Sequence, residues 1–300
     1  MIKRIVTISS PAYLSMKNEQ ILLRRGDGED AQIDSIPIED LGVLLIDHPQ
    51  VMLTAALLAG LLEKNVAVIT CNTTHHPTGL FLSLDGGVIQ SERFREQIES
   101  SAPLKKQLWA QTVSAKIRNQ AALLEKLGMP AENMQRWARS VTSNDPKNLE
   151  GRAAVFYWQN VFKWKFEGFI RDRFGLPPNN LLNYGYALVR AAVARSLVST
   201  GLLPTLGIHH KNRYNAYCLA DDIMEPYRPF VDELVCKIMG DGERIEQVTP
   251  TLKKKLLTLL TTDVKFEDKT SPLMIGLQRT TASLADCYAG EKRKILYPIL

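Results

Sequence analysis

Short segments in which apolar and polar residues alternate follow one another through the first 90 residues. The segments "IKRIVTI", "AYLSMKN" and "QILLRR" have the period-two pattern of half-buried strands, with turn-forming residues between them. The apolar runs "GVLLID" and "NVAVITC" are typical of strands buried on both faces. Residues 51–62 have the length and composition of a buried helix, and a turn is predicted at residues 86–87. This part of the chain is predicted to be a small β-rich domain.

The pattern changes near residue 91, after which apolar residues recur every three or four positions. That spacing predicts helices at "SERFREQIES", "APLKKQLWAQTVSAKIRNQAALLEKLG" and "ENMQRWARSV". The next predicted helix runs through "KNLEGRAAVFYWQNVF", with Asn144 or Asp145 as its cap and Pro146 in its first turn. Four more helices are predicted at residues 180–200, 219–239, 252–260 and 272–289. We therefore predict an α+β fold, with a small N-terminal β-rich domain at residues 1–87 and a larger all-α domain at residues 88–300.

The bulk composition is that of a globular protein. The 300-residue chain is 45% hydrophobic, which suits a substantial core. No apolar run approaches the ~20 residues of a membrane-spanning helix, and the N-terminus lacks the apolar core of a signal peptide. The four cysteines are scattered without metal-type pairing, as expected of free thiols in a reducing compartment. We expect a cytoplasmic protein with no membrane partner.

Charge divides unevenly along the chain. Residues 1–90 carry 6 Lys and Arg against 10 Asp and Glu, whereas the remaining residues carry 31 against 22. The net +9 of the second part favours a polyanionic partner such as nucleic acid, because basic side chains neutralise phosphates and release counterions. The alternative interpretation is a lysine-rich solvated surface.

The residues best suited to chemistry lie in "GIHHKNRYNAYCLADDIMEPYRP", residues 207–229. On a helix, either Asp221 or Asp222 can share a face with Glu225. Pro226 cannot donate to the carbonyl group of Asp222, so the helix must kink or restart beside Glu225. A carboxylate at such a kink is easily presented to a ligand.

An imidazole with two or more carboxylates is a ligand set that suits Mg²⁺ or Mn²⁺ better than zinc. His209 and His210 are adjacent, so they should not both face this site. Glu150, in "NLEGRAAVFYW", adds a carboxylate near the start of a helix whose Ala153 and Ala154 allow close packing. The alternatives are a histidine that serves only as a hydrogen-bond partner and acidic residues that serve only the helix dipole.

Three segments resemble one known family. "LEGRAAVFYW", "PNNLLNYGYALVR" and the 207–229 segment resemble the CRISPR-associated spacer-acquisition integrases, which are metal-dependent DNA endonucleases, in a type II-like form. The segment "DHPQVMLTAALLAGLLEKNVAVITC" is similar to the strand–helix–strand of that family's N-terminal domain. The resemblance spans nearly the whole chain in the same order.

The resemblance implies a specific activity and assembly. It implies homodimers formed through the N-terminal part, two of which flank a dimer of a small ferredoxin-like CRISPR-associated partner. It also implies that the complex binds a short DNA duplex and joins its 3′-hydroxyl ends to a CRISPR repeat by transesterification, with Mg²⁺ or Mn²⁺ as cofactor.

The resemblance also assigns residues. Glu150, His210 and Glu225 match the family's catalytic metal ligands, with Asp222 and His209 as possible additional ones. Asn179 matches a family asparagine expected to be structural or near the site, and Arg228 is expected to anchor the acidic turn or contact phosphate. The candidate DNA contacts are basic residues of the second domain: Arg228, Lys116, Arg118, Arg171, Arg173, Lys253, Lys254 and Lys255.

The sequence holds two further adjacent histidines and is compatible with two other functions. His75 and His76 lie in the first domain, where a polar turn explains them better than a metal site does. The alternative functions are a non-catalytic nucleic-acid-binding assembly module and a structure-selective DNA repair nuclease. Dependence on a divalent cation distinguishes the enzyme from the assembly module, because phosphate binding alone needs no metal.

Overall fold

The chain divides into two compact units in the computed structural model, Met1–Gly86 and Gly87–Leu300. The structure describes residues 3–26, 31–73, 75, 77–84 and 89–300. The predicted turn at residues 86–87 lies outside the described residues.

The first unit contains two four-stranded sheets, one α-helix and a short 3₁₀ helix, Ile38–Asp40, among its described residues. The elements are β1 (Arg4–Ile8), β2 (Ala12–Lys17), β3 (Gln20–Arg25), β4 (Gln32–Pro37), β5 (Leu41–Ile46), β6 (Val51–Leu53), α1 (Ala55–Glu63), β7 (Ala67–Cys71) and β8 (Pro77–Phe81). One sheet has the order β1-β5-β7-β8, parallel except for the β7–β8 pair, and the other has the order β4-β3-β2-β6, antiparallel except for the β2–β6 pair. β5 is buried at every position because it is central in the first sheet, as its unbroken apolar run predicts.

The prediction of one helix over residues 51–62 is wrong for its first residues. Val51–Leu53 is a strand that pairs in parallel with β2, and the helix begins only at Ala55. Thr54 separates the two, because its Oγ1 accepts the N–H of Leu57 at 3.2 Å and caps the helix.

The second unit is a bundle of helices with one small hairpin. Its described elements are α2 (Gln90–Glu99), α3 (Ala102–Lys126), α4 (Glu132–Ser140), α5 (Leu149–Asn160), α6 (Asn179–Ser199), α7 (Cys218–Met224), α8 (Arg228–Gly240), α9 (Pro250–Thr258), β9 (Asp263–Lys265), β10 (Thr270–Pro272) and α10 (Leu273–Tyr288). The predicted α+β class, a β-rich part followed by a helical part, is confirmed. The hairpin β9–β10 is an addition that the helical spacing did not predict.

Two long helices organise this unit. α6 is buried along most of its length and packs against α7, α8 and α10. α3 packs against α4, α5 and a 3₁₀ turn, Glu225–Tyr227. No described helix is long and apolar enough to cross a membrane.

The chain kinks where Pro226 was predicted to interrupt a helix. α7 ends at Met224, the 3₁₀ turn follows, and α8 starts at Arg228. The predicted start of α5 needs a correction, because Pro146 lies in the turn before the helix and the first helical residue is Leu149.

Candidate active site

Glu150 is held at the N-terminus of α5 by two capping residues. The Asp145 carboxylate accepts the N–H groups of Leu149 and Glu150, both at 2.9 Å, and the side chain of Asn148 accepts the N–H of Gly151 at 3.2 Å. Asp145 therefore caps the helix as predicted, although the residue at the helix boundary is Asn148, in the left-handed conformation. These bonds fix the first turn and with it the base of the Glu150 side chain.

Glu225 is presented by the kink between α7 and α8. Its carboxylate is buried and lies between two cations: Oε1 is 2.8 Å from Arg228 Nε, and Oε2 is 2.6 Å from Lys116 Nζ. The Arg228 guanidinium also lies 4.6 Å from the centroid of the Tyr186 ring, a cation–π contact. Arg228 therefore anchors the acidic turn, which is one of the two roles predicted for it, the other being a phosphate contact.

Lys116, from α3, joins the two glutamates. Its Nζ lies 2.8 Å from Glu150 Oε1 as well as 2.6 Å from Glu225 Oε2, and only 12% of its side chain is exposed. The contact with Glu225 is an ion pair without hydrogen-bond alignment, so Glu225 Oε2 has no hydrogen-bond partner among the described residues. Two carboxylates from separate parts of the chain thus face one cation.

These charges shift the ionisation of the buried groups. Burial alone raises the pKa of Glu225, but Arg228 and Lys116 outweigh it and lower that pKa to about 2. Burial alone lowers the pKa of Lys116, yet Glu225 and Glu150 raise it on balance because they stabilise the ammonium. The lowered pKa of Glu225 and the raised pKa of Lys116 both favour the charged form of this ion pair.

Asp222 orients His210. The fully buried Asp222 carboxylate accepts the N–H of His209 at 2.9 Å and the N–H of His210 at 3.3 Å, and it also bonds His210 Nδ1. The bond with Asp222 raises the pKa of His210, although burial opposes it. It also leaves Nε2 as the ring nitrogen available to a ligand. A carboxylate bonded to one nitrogen of an imidazole is the usual support of a metal-binding histidine.

Gly207 lets the chain reach this position. A Cβ at Gly207 would lie 2.8 Å from Asp222 Oδ2 and would also meet the carbonyl oxygen of His210. Only glycine allows the backbone of the "GIHH" segment to pass so close to the buried carboxylate.

His209 has a different environment. Its ring stacks on Trp109 with ring centroids 4.1 Å apart and an interplanar angle of 3°, and it stands nearly perpendicular to the ring of His210. Asp221 is also engaged elsewhere, since it is 2.6 Å from both Arg190 Nε and Asn215 Nδ2. The geometry therefore favours His210 over His209 and gives Asp221 a structural ion pair.

The donor set fits a divalent cation in part. Among the described residues, no group of three or more His, Cys, Asp or Glu side chains is close enough together to hold one ion. Glu150 and Glu225 nevertheless converge on one cationic nitrogen, and carboxylate oxygens are the donors that Mg²⁺ and Mn²⁺ prefer. Glu225 Oε2, which Lys116 contacts as an ion pair but which accepts no hydrogen bond from a described residue, is the oxygen a metal would use there.

Some of the predicted DNA contacts are buried or form ion pairs within the protein, and others are exposed. Lys116 and Arg228 bind the glutamates, Lys253 is buried, and Lys255 pairs with Glu243 at 2.5 Å. The prediction of a DNA contact is kept for the exposed residues Arg118, Arg173 and Lys254.

Asn179 and Arg171 shape the loop before α6. Asn179 Nδ2 donates to the carbonyl groups of Ile170 and Leu176, and its Oδ1 accepts from Arg171 Nη1 at 3.0 Å. Arg171 Nη2 also donates to Asn183 at 2.7 Å. Asn179 is therefore structural, and the guanidinium of Arg171 serves the same loop.

The predicted polar turn of the first unit is described only in part. His75 Nδ1 lies 3.0 Å from Asp47 Oδ1, and His76 lies outside the described residues. His75 thus has a carboxylate partner within its own unit.

The sequence did not predict that Lys116 pairs with Glu150 and Glu225. It also did not predict the contacts of Trp109 with His209 and of Asn119 with the carbonyl group of Pro226. The available signal was spacing: Thr112, Lys116 and Asn119 are polar residues four and three positions apart on a helix that is otherwise largely buried on that face.

One family model and a curated relative each match most of this chain. The family model described as "CRISPR associated protein Cas1" matches residues 5–258. The CRISPR-associated endonuclease Cas1 of Neisseria meningitidis serogroup C (strain 8013) is 33% identical over 282 residues, which are 93% of this chain and 90% of the relative.

Solved structures share the fold. The structure described as "Casposase bound to integration product" has a TM-score of 0.80 at 20% identity, covering 98% of this chain and 92% of that one. The structure described as "Cas6-RT-Cas1--Cas2 complex" has a TM-score of 0.73 at 21% identity, covering 97% of this chain and 35% of that one.

Proposed function

Because the chain belongs to the CRISPR-associated protein Cas1 family, we propose that it is a divalent-metal-dependent DNA endonuclease and integrase that inserts short DNA duplexes into a CRISPR repeat array. The observation that carries this proposal is the convergence of Glu150 and Glu225 on one cation position. His210, which Asp222 orients, is the third member of the site. The relative from Neisseria meningitidis is named an endonuclease, and the casposase of similar fold is described with an integration product.

Each residue has a separate task in this mechanism. Glu150 and Glu225 supply carboxylate oxygens, and His210 supplies Nε2. Asp222 fixes the direction of the imidazole, and Arg228 holds the second oxygen of Glu225. These residues would hold a Mg²⁺ or Mn²⁺ ion, and the chemistry it would supply is Lewis-acid activation of the scissile phosphate towards a DNA 3′-hydroxyl, with stabilisation of the charge on the leaving oxygen.

We assign the DNA to the basic second part of the chain. This part carries a net charge of +9, and its exposed residues Arg118, Arg173 and Lys254 can bind backbone phosphates. The proposed assembly is a homodimer formed through the N-terminal unit, bound to a dimer of a small ferredoxin-like CRISPR-associated partner in the cytoplasm. A complex that contains Cas1 and Cas2 is among the structures of similar fold, which supports a partner of this kind.

The test is strand joining in vitro. A short duplex with free 3′-hydroxyls is incubated with a repeat-containing plasmid, the purified protein and its candidate partner, with Mn²⁺ or with EDTA. Joining should require Mn²⁺ and should fall at least ~100-fold in the Glu150→Ala, His210→Ala and Glu225→Ala variants.

Two variants serve as matched controls. Glu233→Ala removes an exposed glutamate that pairs with Lys126, and His209→Ala removes the histidine that stacks on Trp109. Both should keep most of the joining activity. Joining that survives loss of Glu150 and Glu225 would contradict the proposed site. DNA binding without any metal-dependent joining would favour the assembly module. Metal-dependent cleavage of branched DNA without joining would favour the repair nuclease.

A further inference from the structure

The Lys116 ammonium lies at the point where the two carboxylates of the proposed metal site meet. It reaches this point from α3, whereas Glu150 comes from the start of α5 and Glu225 from the kink before α8. The two N–O distances, 2.8 Å to Glu150 and 2.6 Å to Glu225, are those of direct ion pairs. Lys116 therefore contacts the same carboxylate oxygens that would bind a metal ion.

The charges of the cluster balance without a metal. Glu150 and Glu225 carry two negative charges, and Lys116 and Arg228 carry two positive charges. A divalent ion on the same two carboxylates would bring in two further positive charges next to the ammonium. Like charges at such close range in a buried place repel strongly, so the ion and the Lys116 ammonium cannot share these oxygens.

We propose that Lys116 is a built-in cation that holds Glu150 and Glu225 together before metal arrives and is displaced when a divalent ion takes their oxygens. This inference rests on the proposed function of the site. Lys116 is thus a positioning residue that stabilises the metal-free protein and competes with the metal. Without it, the Glu150 and Glu225 carboxylates would face each other with no cation between them, and their repulsion would destabilise this part of the fold.

The test compares Lys116→Met with Lys126→Met, which removes a lysine from the same helix. Lys126 pairs with the exposed Glu233 at 2.8 Å and has no part in the site. Thermal unfolding is measured in EDTA and in Mn²⁺, and Mn²⁺ affinity is measured by calorimetry without DNA. Lys116→Met should unfold ~5 °C or more below wild type in EDTA, gain more from Mn²⁺ than wild type does, and bind Mn²⁺ about tenfold more tightly. Lys126→Met should match wild type in Mn²⁺ affinity and in the Mn²⁺-induced shift.

The double variant Lys116→Met/Glu150→Gln separates this role from simple packing. Removing one of the two facing charges should restore stability in EDTA relative to Lys116→Met alone. If Lys116→Met fails to fold even with Mn²⁺, the double variant is measured in its place. A double variant that folds in EDTA supports the positioning role of Lys116, and a double variant that stays unfolded in EDTA overturns it.

Failure of this inference and failure of the proposed function give different results. Mn²⁺ binding that Glu150→Gln abolishes, but that Lys116→Met leaves at wild-type strength, overturns the role of Lys116 and keeps the metal site. Mn²⁺ binding that neither Glu150→Gln nor Glu225→Gln weakens overturns the metal site, and the role of Lys116 with it.

Discussion

Asp222 has no exposed surface and accepts three bonds, all from His209 and His210. These bonds occupy both of its oxygens, so its carboxylate supports the imidazole of His210 and is poorly placed to bind a metal as well. The family resemblance gives Asp222 as a possible additional ligand, whereas its bonds to His209 and His210 support an orienting role.

We predict that Asp222→Asn weakens Mn²⁺ binding and strand joining by ~10–100-fold while the chain remains folded, because the imidazole loses its charged partner. Calorimetric Mn²⁺ titration and the joining assay check this outcome. Asp221→Asn is the control, since Asp221 pairs with Arg190 and has no hydrogen bond to His210. Equal Mn²⁺ affinity in Asp222→Asn and wild type would contradict the orienting role.

The sequence around His209 and His210 does not determine which of the two rings faces the site. The spacing of "GIHH" indicated that only one of the two histidines would face the site, and the family resemblance favoured His210. The direction of each ring depends on distant residues, namely Trp109 for His209 and Asp222 for His210. No local pattern around the two histidines encodes the stacking on Trp109.

At the scale of elements, α3 joins the Glu225 turn to the segment 295–300. Asn119 is buried, and its Nδ2 donates to Pro226 O at 2.8 Å and to Pro298 O at 3.0 Å, while its Oδ1 accepts from Leu300 N at 3.3 Å. The segment 295–300 therefore packs on its own chain. One amide thus ties the carbonyl next to Glu225 to a remote part of the sequence.

We predict that Asn119→Ala lowers the free energy of unfolding by about 1–3 kcal/mol, because two buried carbonyl groups lose their donor. It should also weaken Mn²⁺ binding, since the turn that carries Glu225 is no longer tied to α3. Chemical denaturation and calorimetry measure the two effects.

Gln111→Ala is the matched control for Asn119→Ala. Gln111 bonds Arg293 O at 2.8 Å and Ile295 N at 2.9 Å, so its loss loosens the same segment without a hydrogen bond to the Glu225 turn. An equal loss of Mn²⁺ affinity in both variants would contradict a specific link between Asn119 and the site.

Asp232 joins three helices and makes stability depend on pH. It lies on α8 and accepts the hydroxyl groups of Tyr157 on α5, at 2.7 Å, and of Tyr186 on α6. Burial raises the pKa of Asp232 to about 6 despite these two donors. The folded chain therefore binds this proton more tightly than the unfolded chain, whose aspartate pKa is about 3.9.

The contribution of Asp232 to stability is thus fully present below pH ~4 and is lost as pH rises through about 6. We predict that wild type loses about 2–3 kcal/mol relative to Asp232→Asn between pH 4 and pH 7. Urea denaturation of both chains across this range measures the difference. A wild-type advantage that stays constant with pH would contradict the raised pKa.

Element types followed from the sequence more reliably than element starts. The break at Pro226 was predictable because proline removes a specific hydrogen bond in any helix. The starts of α1 and α5 were not, because several polar residues near each start could cap the helix and tertiary structure selected Thr54 and Asn148.

At the scale of the whole molecule, the uneven charge places the proposed DNA contacts in the second part of the chain. The first 90 residues carry net negative charge, and the remainder carries +9. Within the second part, burial and ion pairs leave only some of the basic residues open to phosphate, a distinction that counting lysines cannot make.

We predict that Arg173→Gln weakens binding to duplexes of any sequence and reduces the slope of log K against log salt by about 1, because one phosphate contact is lost. Lys126→Gln should leave the slope unchanged, since Lys126 is paired with Glu233. Fluorescence anisotropy at several salt concentrations measures both. A wild-type slope in Arg173→Gln would remove this residue from the DNA surface.

The most direct test of the account is anomalous diffraction from crystals grown with Mn²⁺. We predict one Mn²⁺ peak bound by the carboxylates of Glu150 and Glu225 and by His210 Nε2, with the Lys116 ammonium withdrawn from both glutamates. A protein that shows no peak at these residues at a saturating Mn²⁺ concentration, or that binds Mn²⁺ elsewhere while Lys116 still bridges the glutamates, would contradict the proposed metal site.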